Sequence, residues 1–200
     1  MGRLVSVVGN TGVGKTTFAS KLCQGTNYYF GIEEPEERPF QELFMIHGKP
    51  YALANQIDYL LYRAEQEMDI RKGDNPGIQD GGLDMDFHIF TNLFFRNGYL
   101  TDNEYEICKR AYHVLRANMP VPDLFIWMKA PVKMIAERYD RRDRRLDIAQ
   151  IEDMKAIDEL LESWLSQYPK EIVFEIDAQQ EDENYTEEIP IVRELIESLK

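Results

Sequence analysis

At 200 residues, 44% apolar and 30% charged, the chain is long enough for one domain, residues 1–200, with a substantial core and a cleft. A net charge of −13 excludes a protein that works by gripping nucleic-acid phosphates or anionic lipid, because both need a surplus of Lys and Arg. Cys23 and Cys108 lack metal-type spacing and read as reduced thiols. With no apolar run long enough to span a bilayer and no signal-peptide pattern, the expected location is cytoplasmic.

Residues 4–8 form a continuous apolar run ending at glycine, as a buried parallel strand does. Residues 1–6 satisfy the N-myristoylation template, but a strand that starts at residue 3 or 4 leaves Gly2 little free arm. A helix is predicted over 15–24, followed by the strand-like TNYYFGIEE, helices over 35–46 and 51–70, and a break at RKGDNPG. Helices over 86–96 and 102–118 flank a turn at NGYL, and the proline-bounded PDLFIWMKA is a strongly buried strand. A helix from 132 leads into RRDRR, another covers 148–167, EIVFEID is the last strand, and a helix over 189–199 closes the chain. This alternation implies an α/β domain with a largely parallel sheet. Trp127 and Trp164 are expected in the core, and His47, His88 and His113 share no spacing that suggests a metal or a triad.

GNTGVGKT, residues 9–16, is a G-x-x-x-x-G-K-[ST] phosphate loop set between a buried strand and a helix. Gly9, Asn10, Thr11, Gly12, Val13 and Gly14 curl main-chain N–H groups around an anion, Lys15 reaches the outer phosphates, Thr16 can ligate Mg2+, and Thr17 continues the helix that points its positive end at the site. ATP and Mg2+ are the expected cofactors. A switch GTPase would carry N-K-x-D, and an ATPase motor would carry four apolar residues before a D-E pair; neither is present. A small-molecule kinase fits the length.

EEP, NQIDYLLYR, DGGLDMD and YDRRDRRLD, in that order and spacing, resemble the deoxyribonucleoside kinase family, which includes deoxycytidine, deoxyadenosine and deoxyguanosine kinases. The resemblance covers nearly the whole chain. It implies a P-loop kinase fold, a mostly parallel five-stranded sheet flanked by helices, with an arginine-rich lid at about 138–147 and a homodimer packed through helices. Glu34 in the E-P pair would be the base on the substrate's 5′-hydroxyl, and Gln56 and Arg63, two helical turns apart, would meet the nucleobase. Asp80 matches the acid that helps hold the metal, and Asp86 the aspartate that helps select the base. Arg142 and Arg144 match lid contacts to the transferring phosphate, with Arg138 next, and Asp147 sits where a lid acid reaches the 3′-hydroxyl. Phe30, Phe87 and Phe90 are candidate stacking partners for a purine.

Two departures bear on function. Gly81 and Gly82 stand where the family has arginine and serine, and Met45 stands where a tyrosine binds the sugar. GIQDGGLDMDF therefore reads as a metal and substrate site without its central cation, for which Arg63 or Arg38 is a substitute. The expected function is ATP-dependent phosphorylation of a deoxyribonucleoside. A monophosphate kinase of the thymidylate type and a catalytically impaired structural or regulatory subunit are the alternatives.

Overall fold

The computed structural model describes residues 2–31, 38–140, 151–179 and 184–199. Its centre is a five-stranded parallel sheet: β1 (Leu4–Gly9), β2 (Tyr29–Gly31), β3 (Gly77–Asp80), β4 (Leu124–Lys129) and β5 (Val173–Asp177), in the order β2-β3-β1-β4-β5. The apolar runs of β1 and β4 are continuous because both faces are covered. Val5 and Val7 point into a cluster with Phe18, Ala19 and Leu22 of α1 (Lys15–Cys23), Ile135 of α7 (Val132–Asp140), and Val192 and Ile196 of α9 (Glu188–Ser198). Val8 points the other way, onto Leu161 and Trp164 of α8 (Met154–Leu165). Both tryptophans are buried, as predicted.

A third cluster joins α2 (Pro39–His47), α3 (Ala52–Lys72) and α6 (Asp102–Ala117), and it includes Tyr112, Phe44 and Phe94. Pro39 opens α2, where its missing N–H costs nothing. The parallel register sets Val7 beside Asp80 and Gly9 beside Met128, so β1, β3 and β4 end at one edge. In open α/β sheets, ligands bind outside the carboxyl ends of the strands.

The helix predicted over 86–96 differs from the observed one. It starts earlier, as α4 (Leu83–Met85), widens into a π-helical segment at Asp86–Thr91, and narrows again in α5 (Asn92–Arg96). The carbonyls of the wide turn find side-chain donors: Thr91 Oγ1 lies 3.1 Å from the Asp86 oxygen, and Asn92 Nδ2 lies 3.0 and 3.2 Å from those of Phe87 and His88. At the other end of the chain, Gly2 is buried with its N–H on the Arg71 carbonyl at 2.8 Å, in keeping with the short arm expected there. Both thiols are free and burial pushes each up to about 11, which makes them poor nucleophiles.

Candidate active site

On the phosphate side, β1 runs out at Gly9 and α1 begins at Lys15, capped by Gly14 in a left-handed conformation. The Lys15 ammonium arches back over the loop and donates to the carbonyls of Gly9 and Asn10, both at 3.0 Å. Asn10, 1% exposed, braces the loop. Its Nδ2 donates to the Met154 carbonyl and to Asp158 Oδ1, each at 2.7 Å, and its Oδ1 accepts from the Thr11 N–H at 2.8 Å. Burial raises the Asp158 carboxyl and the Asn10 bond partly opposes this. The motif treats position 10 as free, and Asp158 is 148 residues away, so no spacing in the sequence points to the pair. Arg138 Nη1 reaches the Val13 carbonyl at 3.3 Å, which brings the end of α7 to the loop, while Thr17 is exposed on the first turn of α1. Tyr185, set edge-on against Phe18 at 5.0 Å, also borders the loop at Gly14.

Thr16 Oγ1 donates to Asp80 Oδ2 at 2.5 Å and so joins the loop to the end of β3. Asp80 is 4% exposed. Beyond it the chain turns through Gly81 at φ +83° and Gly82 at φ +127°. The Ser6 hydroxyl bonds the Gly81 carbonyl, and a Cβ on Gly82 would fall 2.7 Å from Gln79 Oε1. Side chains are therefore excluded from this turn by conformation at both positions and by space at the second.

The structure brings Gln56, Arg63 and Asp86 together behind that turn, each at most 5% exposed. Arg63 Nε donates to Asp86 Oδ2 at 2.9 Å, and Arg63 Nη2 lies 3.4 Å from where a Cβ on Gly81 would sit. Of the two arginines considered as substitutes, Arg63 stands before Gly81. Arg38 instead pairs with Asp58 at 3.4 Å and covers the Tyr62 ring at 4.3 Å. Gln56 Oε1 accepts from Thr91 Oγ1 at 2.8 Å. Thr91 escaped the sequence reading because an α-helix stacks residues four apart, whereas the π-helical turn stacks residue 91 over 86. Phe87 is no platform for a base: its face is stacked on Tyr112 at 4.2 Å, inside the core. Met45 and Tyr51 pack against the third cluster. Glu34, Arg142, Arg144 and Asp147 lie outside the described residues.

A buried polar network supports this side from below. Arg116 of α6 bridges both oxygens of Glu67, at 3.0 Å each, and Asp84 Oδ2 at 2.7 Å. Glu67 also accepts from Arg71 at 2.8 Å, and Tyr112 donates to Asp84 at 2.8 Å. The Tyr112 oxygen lies 3.1 Å from His88 Nε2, and His88 is stacked on Trp164 at 5.3 Å. Asp84 sits between Gly82 and Asp86 in sequence, so the network anchors the segment carrying the site to α3 and α6.

The family model for deoxynucleoside kinases matches residues 5–199. The chain belongs to the deoxynucleoside kinase family. The kinase is 28% identical over 145 residues to deoxyguanosine kinase of Bacillus subtilis (strain 168), covering 70% of this chain and 67% of that one. With deoxyadenosine/deoxycytidine kinase of the same organism it shares 23% over 147 residues, 72% of this chain and 68% of the relative. Its fold matches that of deoxyadenosine kinase from M. mycoides, solved with dCTP and with dATP bound, with TM-scores of 0.79 and 0.78 at 20% identity. The match covers 98% of this chain and 99% and 100% of the two structures. The kinase is thus a phosphotransferase that phosphorylates a deoxynucleoside with ATP. These likenesses favour neither the thymidylate-type nor the inactive-subunit alternative.

Proposed function

We propose that residues 1–200 form a single catalytic domain that transfers the γ-phosphoryl group of ATP to the 5′-hydroxyl of a deoxyribonucleoside, with the roles divided between two sides of one cleft. The observation that carries this division is the contact of Thr16 with Asp80 at 2.5 Å, because it joins the phosphate loop to the edge of β3. Main-chain N–H groups of residues 9–14 and Lys15 hold the phosphates. Thr16 and Asp80 present two hard oxygen donors side by side, which suits Mg2+; when bound, that ion offsets charge on the phosphate oxygens. Glu34 takes the proton of the 5′-hydroxyl as its oxygen bonds to the γ-phosphorus, and the bond to the β-phosphate oxygen breaks to release ADP. Arg138, Arg142 and Arg144 close over the transferring group from the lid, and Asp147 contacts the 3′-hydroxyl.

Gln56, Arg63 and Asp86 read the nucleobase, and Arg63 also supplies the cation that Gly81 does not. The support for this second role is the guanidinium in front of Gly81, held by a buried carboxylate. The protein works in the cytoplasm as a homodimer. Support for the dimer comes from Leu61 and Met68 on α3 and Ile107 and Val114 on α6, exposed at heptad spacing on neighbouring helices.

Turnover of Mg-ATP against the four deoxyribonucleosides and dTMP tests the reading. The natural chain is expected to phosphorylate at least one deoxyribonucleoside and not dTMP, and Glu34→Gln to lose about 10²- to 10⁴-fold in kcat. ATP binding without any deoxyribonucleoside turnover would contradict it.

A further inference from the structure

A loop that binds phosphate through main-chain N–H groups binds well only if those groups are aimed before the anion arrives, because ordering a free segment on binding subtracts from affinity. The loop here is poorly suited to order itself. Gly12 and Gly14 sit at φ +90° and +112°, and glycine has the most conformational freedom to lose. A hold from outside the loop is needed.

Asn10 provides it. The side chain is 1% exposed and both of its polar atoms are engaged: Nδ2 donates to the Met154 carbonyl and to Asp158 Oδ1, each at 2.7 Å, while Oδ1 accepts from the Thr11 N–H at 2.8 Å. These partners admit one orientation of the amide. Turned over, it would set its oxygen against a carbonyl and a carboxylate and its NH2 group against an N–H, so all three contacts would become repulsive. The acceptors belong to a firmly seated element, since Met154, Ile157, Leu160, Leu161 and Trp164 of α8 are buried and Met154 shares a core cluster with Val13 of the loop. At the far end of the loop, Arg138 of α7 reaches the Val13 carbonyl at 3.3 Å.

We infer that Asp158 is a positioning residue for ATP: by holding the Asn10 amide it keeps the phosphate loop in its binding conformation, although it lies outside the motif and 148 residues from Asn10. The inference rests on the proposed role of residues 9–16 as the phosphate site. Without that acceptor, a buried N–H of Asn10 has no partner. The loop of the free protein then relaxes until the amide finds one, and ATP has to draw it back, so the lost bond appears as lost ATP affinity. Gln56, Arg63 and Asp86 have other partners, which leaves the nucleoside side unaffected.

The test is calorimetric affinity for Mg-ATP, measured on the natural full chain, Asp158→Leu and Asp158→Asn, with KM for the preferred deoxyribonucleoside at saturating Mg-ATP alongside. Leucine is close to aspartate in shape, favours helix and fills the place that water would otherwise take; asparagine keeps an oxygen for Asn10. The expected result is a Kd for Mg-ATP raised about tenfold in Asp158→Leu, in the range for one buried donor left without a partner. In Asp158→Asn that Kd stays close to natural, and KM for the deoxyribonucleoside stays close to natural in both variants. A natural Kd in Asp158→Leu overturns the inference. An equal loss toward ATP and the deoxyribonucleoside overturns it too, because that marks general damage to the fold. So does an Asp158→Asn protein as weak as Asp158→Leu, since the bond it keeps would then not be what matters. Should Asp158→Leu fail to fold, Asp158→Ala is read in its place on the same criteria. Failure of the natural chain to bind Mg-ATP overturns both the inference and the phosphate-site reading.

Discussion

The two sides of the cleft solve the same problem, holding charge in place, by different means. On the phosphate-loop side the candidate anion site is six consecutive residues, 9–14, with Lys15 bonded back across the loop and Asn10 bracing it to α8. On the nucleoside side nothing consecutive suffices. A carboxylate from the end of β3, an arginine and a glutamine from α3, and an aspartate and a threonine from the π-helical turn meet across the tertiary structure, over a floor of buried ion pairs. A site of main-chain groups needs fixed glycines, whereas a site of side chains can draw a cation from another segment: Arg63 Nη2 stands 3.4 Å from where a Cβ on Gly81 would sit.

That contrast breaks most readily at Arg116. Arg116→Met leaves Glu67 and Asp84, 0% and 2% exposed, without their shared cation. The expected loss is about 3–5 kcal/mol of stability, read in chemical denaturation. Lys15→Ala should do the reverse: unfolding free energy stays near that of the natural chain while kcat falls about 10²- to 10³-fold, since a positioned charge is lost and the Gly9 and Asn10 carbonyls it bonds carry no charge of their own.

His88 sharpens the comparison further, because the nucleoside side alone should depend on pH through it. Burial pushes His88 down to about 4, with His113 and Arg116 acting in the same direction. An unfolded His88 takes up a proton below about 6.5 and the folded one does not until about 4, so its contribution is complete above 6.5 and is lost as pH falls through that window. At about 1.4 kcal/mol per unit the loss is about 3 kcal/mol. His88→Gln should flatten the slope of unfolding free energy between those pH values. Smallest of the four, Gly82→Ala should cost about 1–3 kcal/mol, because a Cβ there meets Gln79 Oε1 at 2.7 Å on a backbone that L-residues avoid.

The same contrast governs what could be read from the amino-acid sequence. Continuous apolar runs such as residues 124–128 announced a parallel sheet covered on both faces, and GNTGVGKT announced the phosphate loop, because both signals are local. Gln56 and Arg63 stood out only as an interval on a helix, and that interval does bring them to one place. Asp158 beneath Asn10, Glu67 with Arg116, and Thr91 on Gln56 were illegible: each depends on a partner supplied by another element, or on a turn wider than an α-helix. At Gly81 the sequence shows the arginine missing and offers Arg63 or Arg38 in its place, and only the tertiary structure shows that Arg63 is the one standing before it.

The central claim is that Arg63, held by Asp86, does the work of the cation absent at Gly81. Arg63→Lys tests it most directly, since lysine keeps the charge beside Asp86 but loses the planar fork whose Nη2 extends toward Gly81. The measurement is kcat and KM for the preferred deoxyribonucleoside at saturating Mg-ATP, on protein shown to unfold cooperatively. A fall in kcat/KM of about tenfold or more is the predicted result. Arg63→Lys turning over at the natural rate with the natural KM would contradict the claim.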